Sequence, residues 1–446
     1  MNIEDIQKLL DEKKIAELKE ALSEMEEADI SAMLTEIEDK ATLIKVFRLL
    51  PKDVAGETFS YMEHEMKEKL IQGLTDTELQ GIVDELYMDD TVDLIEEMPS
   101  NVVKRILKGI NPEERKVVNE LLKYPEDSAG SIMTTEFIDL KENMTVKEAF
   151  TRIKEKGEDL ETILNCYVLD PNRILLGIVT IKQLLLANPD TIIKDLMDDN
   201  VIYVNTMDDQ EMVAQTFQKY DYYIMPVVDK EKRLVGIITV DDVVDVMEAE
   251  ATEDIEKMAA ITPTDKPYFK IGVIETWKTR IPWLLLLMIS ATFTGKIIQH
   301  YENALASAIA LTAFIPMLMD TGGNAGGQAS VTIIRALSLG DVTFADAFKV
   351  IWKEFKVAFL CGLTLVVANF FKLLYLDKVE LMVAAVVCLT LLIAVIVAKL
   401  IGCTLPLLAK KIGFDPAVMA SPFITTIVDA VSLLSYFAVA SWLLGI

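Results

Sequence analysis

Apolar and polar positions take three rhythms in turn along this chain. Over residues 29–122 the apolar residues come in short groups at helical spacing: Ile30-Leu34-Ile37, Leu43-Phe47-Leu50, Met66-Leu70-Leu74, Leu79-Val83-Leu86, Val92-Ile95-Met98 and Val102-Ile106. Asp53, Thr75-Asp76, Asp89-Asp90, Pro99 and Asn111-Pro112 punctuate them as caps and breakers do. One group about every 12 residues predicts short amphipathic helices stacked as a solenoid over 1–130, because no such helix can bury its own apolar stripe.

Residues 131–250 alternate strand-like and helix-like texture in two copies. Asp170-Pro-Asn-Arg-Ile-Leu-Leu-Gly177-Ile-Val-Thr180 matches Asp229-Lys-Glu-Lys-Arg-Leu-Val-Gly236-Ile-Ile-Thr239, and Met133 and Met197 open the copies. This predicts two α/β modules, 131–190 and 191–250.

Beyond 273 five apolar runs, at about 281–300, 304–337, 345–375, 380–410 and 416–445, each near or above the ~20 residues of a membrane-crossing helix, predict a five-span domain over 273–446. The second run carries Ile315-Pro-Met-Leu-Met-Asp-Thr-Gly-Gly-Asn-Ala-Gly-Gly-Gln328. Pro316 and the glycines predict an interrupted helix there, with Asp320, Asn324 and Gln328 marking a polar pathway; a helix-packing seam is the competing reading. Asp429 lies midway along the last run, where an ionised carboxylate needs water, a partner or a cation. Lys278, Arg280, Arg335, Lys349, Lys353, Lys356, Lys399, Lys410 and Lys411 are expected on the side of the N-terminus, which places the head in the cytoplasm and the C-terminus outside. The first residues carry no secretion-signal pattern.

Charge separates the two halves. Residues 1–270 hold 60 of the 70 acidic and 31 of the 43 basic residues, whereas 271–446 are near neutral. Such a head excludes nucleic-acid binding and attracts cations. Two histidines and four cysteines stand at no metal-ligand spacing, so a metal here takes oxygen ligands, as Mg²⁺ or Ca²⁺ does. Asp242, Asp245 and Glu248 share a helix face, and Asp89, Asp90 and Asp93 form a second acidic group; both read either as solvated surface or as faces bridged by divalent ions. No phosphate-binding Gly-Lys-Ser/Thr loop and no Ser/His/Asp set points to an enzyme.

The doubled hydrophobic-Gly-hydrophobic-hydrophobic-Thr pattern resembles a tandem pair of CBS modules. Such pairs bind adenosine nucleotides or serve as structure, and both readings stay open. Thr239 and Asp242 keep the family's Thr-x-x-Asp pattern for ribose and phosphate, while Gln183 replaces the Asp in the first copy. The whole order, with Pro-x-x-x-Asp-Thr-Gly-Gly-Asn-Ala-Gly-x-Gln and the later Pro-Phe-x-x-Thr-x-x-x-Asp, resembles the MgtE family of magnesium transporters and channels. The resemblance implies a multidomain membrane protein: an all-α solenoid and an α/β CBS pair in the cytoplasm, then an α-helical five-span domain. It implies a homodimer in the plasma membrane lipid with a Mg²⁺ pore on the two-fold axis. Asp429 would select the hydrated ion, and Ser421 and Thr425 would line the site. It implies closure at high cytoplasmic Mg²⁺ through Glu211, Asp221, Asp242, Asp245, Glu250, Glu253 and Asp254, with Asp89, Asp90 and Asp93 from the solenoid and a linking plug helix over 246–272. ATP is the expected nucleotide. The rival readings are a carrier of Co²⁺ or Mn²⁺ and a membrane-anchored nucleotide sensor.

Overall fold

The computed structural model describes residues 3–445 except 158–159, 265–267, 270, 302–308 and 420. The chain divides into two compact units, Met1–Val246 and Met247–Ile446.

The first unit begins with short helices α1 (Ile3–Asp11), α2 (Ile15–Ser23), α3 (Glu27–Thr35), α4 (Lys40–Phe47), α5 (Lys52–Ser60), α6 (His64–Ile71), α7 (Asp76–Val83), α8 (Met88–Glu97), α9 (Ser100–Gly109) and α10 (Glu114–Leu121). Their starts are written locally: Thr75 and Glu78 form a capping box on α7, and Asp39 caps α4 through the Thr42 amide. Helices pack on their second neighbours, α3 on α5, α5 on α7 and α7 on α9. The side-chain ties have the same reach: Arg48 Nε to Glu78 Oε1 at 2.7 Å, Gln80 Nε2 to the Gly109 carbonyl at 3.2 Å and Arg105 Nε to Asp76 Oδ1 at 2.8 Å. The structural repeat is therefore a pair of helices, whereas the apolar rhythm reports single helices.

The modules follow. In the first, β1 (Phe137–Leu140) runs parallel to β2 (Thr162–Leu169), which is antiparallel to β3 (Leu175–Thr180); in the second, β4 (Val204–Asn205), β5 (Ile224–Val228) and β6 (Leu234–Thr239) repeat that order. Helices α11 (Val146–Lys156), α12 (Ile181–Leu186) and α13 (Gln210–Tyr220) cover them. The opening methionines are exchanged between copies. Thr134, beside Met133, bridges to Ile237 of β6, and Asp198, beside Met197, bridges to Ile178 of β3. A Cβ at Gly236 would come within 2.7 Å of Met133 Sδ, and one at Gly177 within 2.8 Å of the Asp198 carbonyl oxygen. The two glycines thus exist for this interlock. The solenoid and the second module share one core through Val213, Phe217, Met225 and Ile238.

Helix α14 (Val240–Met258) leaves the second module and enters the second unit. The linking helix expected over 246–272 thus starts earlier and stops at Met258, with Ala260 in the left-handed region directly after it.

In the second unit α15 (Val273–His300), α16 (Ile315–Ser338), α17 (Ala347–Tyr375), α18 (Leu381–Lys411) and α19 (Ser421–Leu444) form the helical bundle. Among the described residues four helical stretches are long and apolar enough to cross a membrane; α16, at 24 residues, has the length but is too polar to count by composition. It packs against α18 and α19 instead. The interruption expected at Pro316–Gly327 is absent. Pro316 occupies the first turn of α16, where its missing N–H costs nothing, and the glycine segment is unbroken helix. Lys399, expected beside a loop, is buried inside α18.

Candidate functional site: a polar helix stripe and an acidic cluster

Helix α16 has two faces. Gly322, Gly323, Gly326 and Ala329 are buried, and their small size sets the helix spacing. A Cβ at Gly323 would meet Thr425 Cγ2 at 2.9 Å, and one at Gly402 would meet the Gly326 carbonyl oxygen at 2.2 Å. The packing-seam reading thus holds for the glycines. The other face carries Asp320, Asn324, Gln328 and Thr332, four residues apart and all exposed. Asn324, Gly327, Gln328, Val331 and Thr332 line an open groove of ≈ 620 Å³ on that face.

Asp429 stands on α19, one turn beyond Thr425, and is half-buried. Among the described residues its Oδ1 is buried without a hydrogen-bond partner, and the charge acting on it is another carboxylate, Asp320. Ser421 opens α19, but its side chain lies outside the described residues. Lys399 faces Glu354 of α17 at 3.9 Å, and both are buried. The pair was not singled out from sequence, where Lys399 is grouped with the charges beside the spans; the cue is its place well inside the run 380–410.

A second constellation forms in the first unit, where α8 meets the start of α14. Burial pushes Asp93 up to about 7, with Asp90 and Glu97 adding to it. Burial likewise raises Asp242 to about 6; the Thr239 hydroxyl opposes the shift, and Asp241 and Asp90 reinforce it. Asp89 is driven well above the carboxylate range by burial, then by Asp242 and Asp90, and Asp90 is raised mainly by burial, with Lys67 easing it. Two carboxylates missed in sequence join them. Glu161 rises to about 8 through burial and the charges of Asp241, Asp242 and Asp90. Glu136 is also raised by burial, although its carboxylate accepts from the Met88 amide at 3.1 Å. Among the described residues no three acidic groups close around one point as metal ligands do. The cluster is a crowded anionic surface that protons or cations must neutralise.

The remaining sensor candidates are dispersed. Glu211 lies in the first turn of α13, and Asp221 ends that helix in the left-handed region. Asp245, Glu250, Glu253 and Asp254 follow along α14. Glu253 pairs with Lys257, whose Nζ also lies 2.7 Å from Asp415 Oδ2. Burial works against the Lys257 charge, but Asp415 and Glu253 outweigh it and hold its pKa above the ordinary value.

Thr239 and Asp242, the expected nucleotide residues, are bonded to each other. Thr239 Oγ1 donates to Asp242 Oδ2 at 2.9 Å, so these two satisfy each other within the acidic cluster. A cleft of ≈ 380 Å³ opens instead at the first copy, lined by Asn165, Thr180 and Gln183, with Asp221 and Tyr223 from the second. The Thr-x-x-Asp pattern alone does not tell which face its carboxylate takes.

Comparison with known proteins divides the chain into the same order of regions. Residues 315–439 match the family described as MgtE, divalent cation transporter; 25–127 match the MgtE intracellular N domain, and 129–190 and 193–249 match CBS domains. A magnesium transporter MgtE of Thermus thermophilus is 37% identical over 98% of both chains. The chain belongs to the MgtE family. A Bacillus subtilis MgtE is 31% identical over 97% of this chain and 95% of its own. The cytosolic domain of the Mg²⁺ channel MgtE, solved in complex with ATP, superposes with a TM-score of 0.52 at 36% identity, covering 54% of this chain and 98% of that one. This MgtE chain is thus a multi-pass transporter and not an enzyme.

Proposed function

We propose that this chain carries Mg²⁺ across the plasma membrane through a pore between two copies, and that cytoplasmic Mg²⁺ closes it. The exposed stripe Asp320–Asn324–Gln328–Thr332 carries the reading. In hydrocarbon such a face needs protein or water against it. A second copy related by a two-fold axis lays the same stripe opposite it and encloses a polar channel. Asp429 supplies the carboxylate there, and Thr425 and Ser421, which precede it on α19 by one and two turns, complete the candidate lining. Mg²⁺ sheds water reluctantly, so a ring of acceptors that reads the hydrated ion avoids that cost.

Gating is read from the acidic cluster. Mg²⁺ bridging Asp89, Asp90, Asp93 and Asp242 relieves their repulsion and favours the compact head, while Glu211, Asp221, Asp245, Glu250, Glu253 and Asp254 supply further carboxylates. The head faces the cytoplasm, and the cleft between the CBS modules takes an adenosine-type ligand as a second input. Cysteine at Asn324, in a protein with its native cysteines replaced, tests the pore: the two copies cross-link and a charged thiol reagent blocks Mg²⁺ flux. Absence of both cross-link and block removes the two-fold pore.

A further inference from the structure

A further cavity, of ≈ 330 Å³, opens in the first unit among α7, α8, α9 and α10, with Glu136 just before β1 also in its lining. Two kinds of surface meet in it. Val83, Leu86, Ile110 and Val118 supply hydrocarbon. Asp84, Glu114 and Glu136 supply charge of one sign, and no Lys, Arg or His lines the cavity among the described residues. Lys52, whose charge reaches Asp84, is bonded to Glu85 at 2.5 Å. Burial raises the pKa of Glu136 despite hydrogen bonds from the Met88 amide and the Thr134 hydroxyl, and the charges of Glu114 and Asp90 add to the rise.

Thr91 is the polar group left over. It is 4% exposed and lines the cavity, and its hydroxyl makes no hydrogen bond among the described residues. A helical threonine often bonds back to the carbonyl four residues earlier, as Thr35 does to Ser31 at 3.0 Å. The amides in the lining are already engaged. Gln80 Nε2 donates to the Gly109 carbonyl, and Asn111 Oδ1 accepts from the Glu113 and Glu114 amides. The cavity thus offers a buried hydroxyl and several carboxylates, with no donor of its own to meet them.

We propose that this cavity binds an aliphatic diammonium ion, its methylenes on the apolar wall and its ammonium groups on the carboxylates and the Thr91 hydroxyl. The volume lies near the small end of ligand pockets, which span roughly 300–1,000 Å³. Mg²⁺ does not suit the same space. It demands near-octahedral oxygen and keeps several waters, to which hydrocarbon offers nothing, and no three carboxylates converge as metal ligands do among the described residues. An ammonium carries three rotatable donors, and its alkyl stem gains from apolar surface. A two-ended ion engages a second carboxylate as an intramolecular step. None of Asp89, Asp90, Asp93 and Asp242 lines the cavity, so its occupancy and the Mg²⁺ gate are separable by experiment.

The test is calorimetric titration of the full-length protein, in nanodiscs of zwitterionic lipid, with 1,4-diaminobutane and with n-butylamine, in EDTA and again at a fixed Mg²⁺ concentration. The diamine is expected to bind one site per chain, at least about tenfold more tightly than the monoamine. Mg²⁺ is expected to weaken it by no more than about threefold, the effect of screening alone. Asp84→Asn with Glu114→Gln is expected to weaken the diamine at least about tenfold, and the isosteric Thr91→Val about fivefold. Unchanged far-ultraviolet circular dichroism shows that both variants fold. Equal binding of diamine and monoamine, or displacement of the diamine by Mg²⁺, would reveal a diffuse acidic surface and overturn the proposal. Full affinity in the double variant would place the ion elsewhere and overturn it too, as would the absence of saturable binding.

Discussion

Asp429 and Glu161 show two ways a carboxylate becomes informative. Asp429 is legible in the sequence because it is the one charged residue of the run 416–445, and among the described residues its Oδ1 has no hydrogen-bond partner. Asp429→Asn keeps size and polarity but removes the charge that attracts a cation; Mg²⁺ flux into proteoliposomes is expected to fall at least about tenfold, with the elution of the protein on size exclusion unchanged. Wild-type flux in that variant would remove Asp429 from the pathway. Glu161 offers no such cue. It sits among ordinary polar residues, and only folding brings it against Asp241, Asp242 and Asp90. Glu161→Gln removes one of the mutually repelling charges, so the head at pH 8 without divalent ions is expected to resist proteolysis longer than wild type. A shorter lifetime would mean that Glu161 is engaged in an attraction instead.

At the scale of elements, helices were easier to read than their interruptions. The glycines of 322–327 suggest a break in water, but in lipid an open backbone leaves N–H and C=O groups without partners, and continuous helix is the cheaper state. Close packing then uses the glycines. Gly402→Ala puts a methyl group on the Gly326 carbonyl, a backbone atom that cannot rotate away. It is expected to cost about 1–3 kcal/mol, read as a lower melting temperature in detergent; an unchanged value would mean α16 and α18 separate freely. The Lys399–Glu354 pair pins α17 to α18. Lys399→Met alone leaves a buried carboxylate and is expected to cost about 3–5 kcal/mol, whereas Lys399→Met with Glu354→Gln costs less than that single change. Equal losses in the single and double variants would show that the two groups do not interact. The solenoid's period was legible for single helices but not for their pairing, because second-neighbour packing leaves no mark in one helix's own stripe.

For the whole molecule, most of the architecture was legible: three textures gave three kinds of fold. What escaped is where surfaces meet, such as the exchanged openings of the modules and the acidic cluster. That cluster has a pH signature. Asp93 at about 7, Asp242 at about 6 and Glu161 at about 8 hold protons in the folded head that the unfolded chain has already released. Because the folded state binds more protons, stability falls as pH rises from the unfolded carboxylate range, near 4, through about 8. Without divalent ions the head is expected to resist proteolysis better at pH 6 than at pH 8. At pH 8 added Mg²⁺ is expected to restore resistance, and at pH 7 its binding is expected to release protons. Equal protection at both pH values would mean that the cluster is solvated and carries no strain.

Moving a two-state gate from 1:99 to 99:1 takes about 5.5 kcal/mol of differential binding, which several carboxylate pairs can supply together. The most direct test of gated Mg²⁺ transport is Mg²⁺ flux through purified protein in proteoliposomes, with Mg²⁺ on the head's side varied from micromolar to millimolar. Flux that is present at low Mg²⁺ and falls steeply as Mg²⁺ rises is the expected result. Flux that ignores Mg²⁺ on that side would contradict the gate, and no flux at all would contradict the pore.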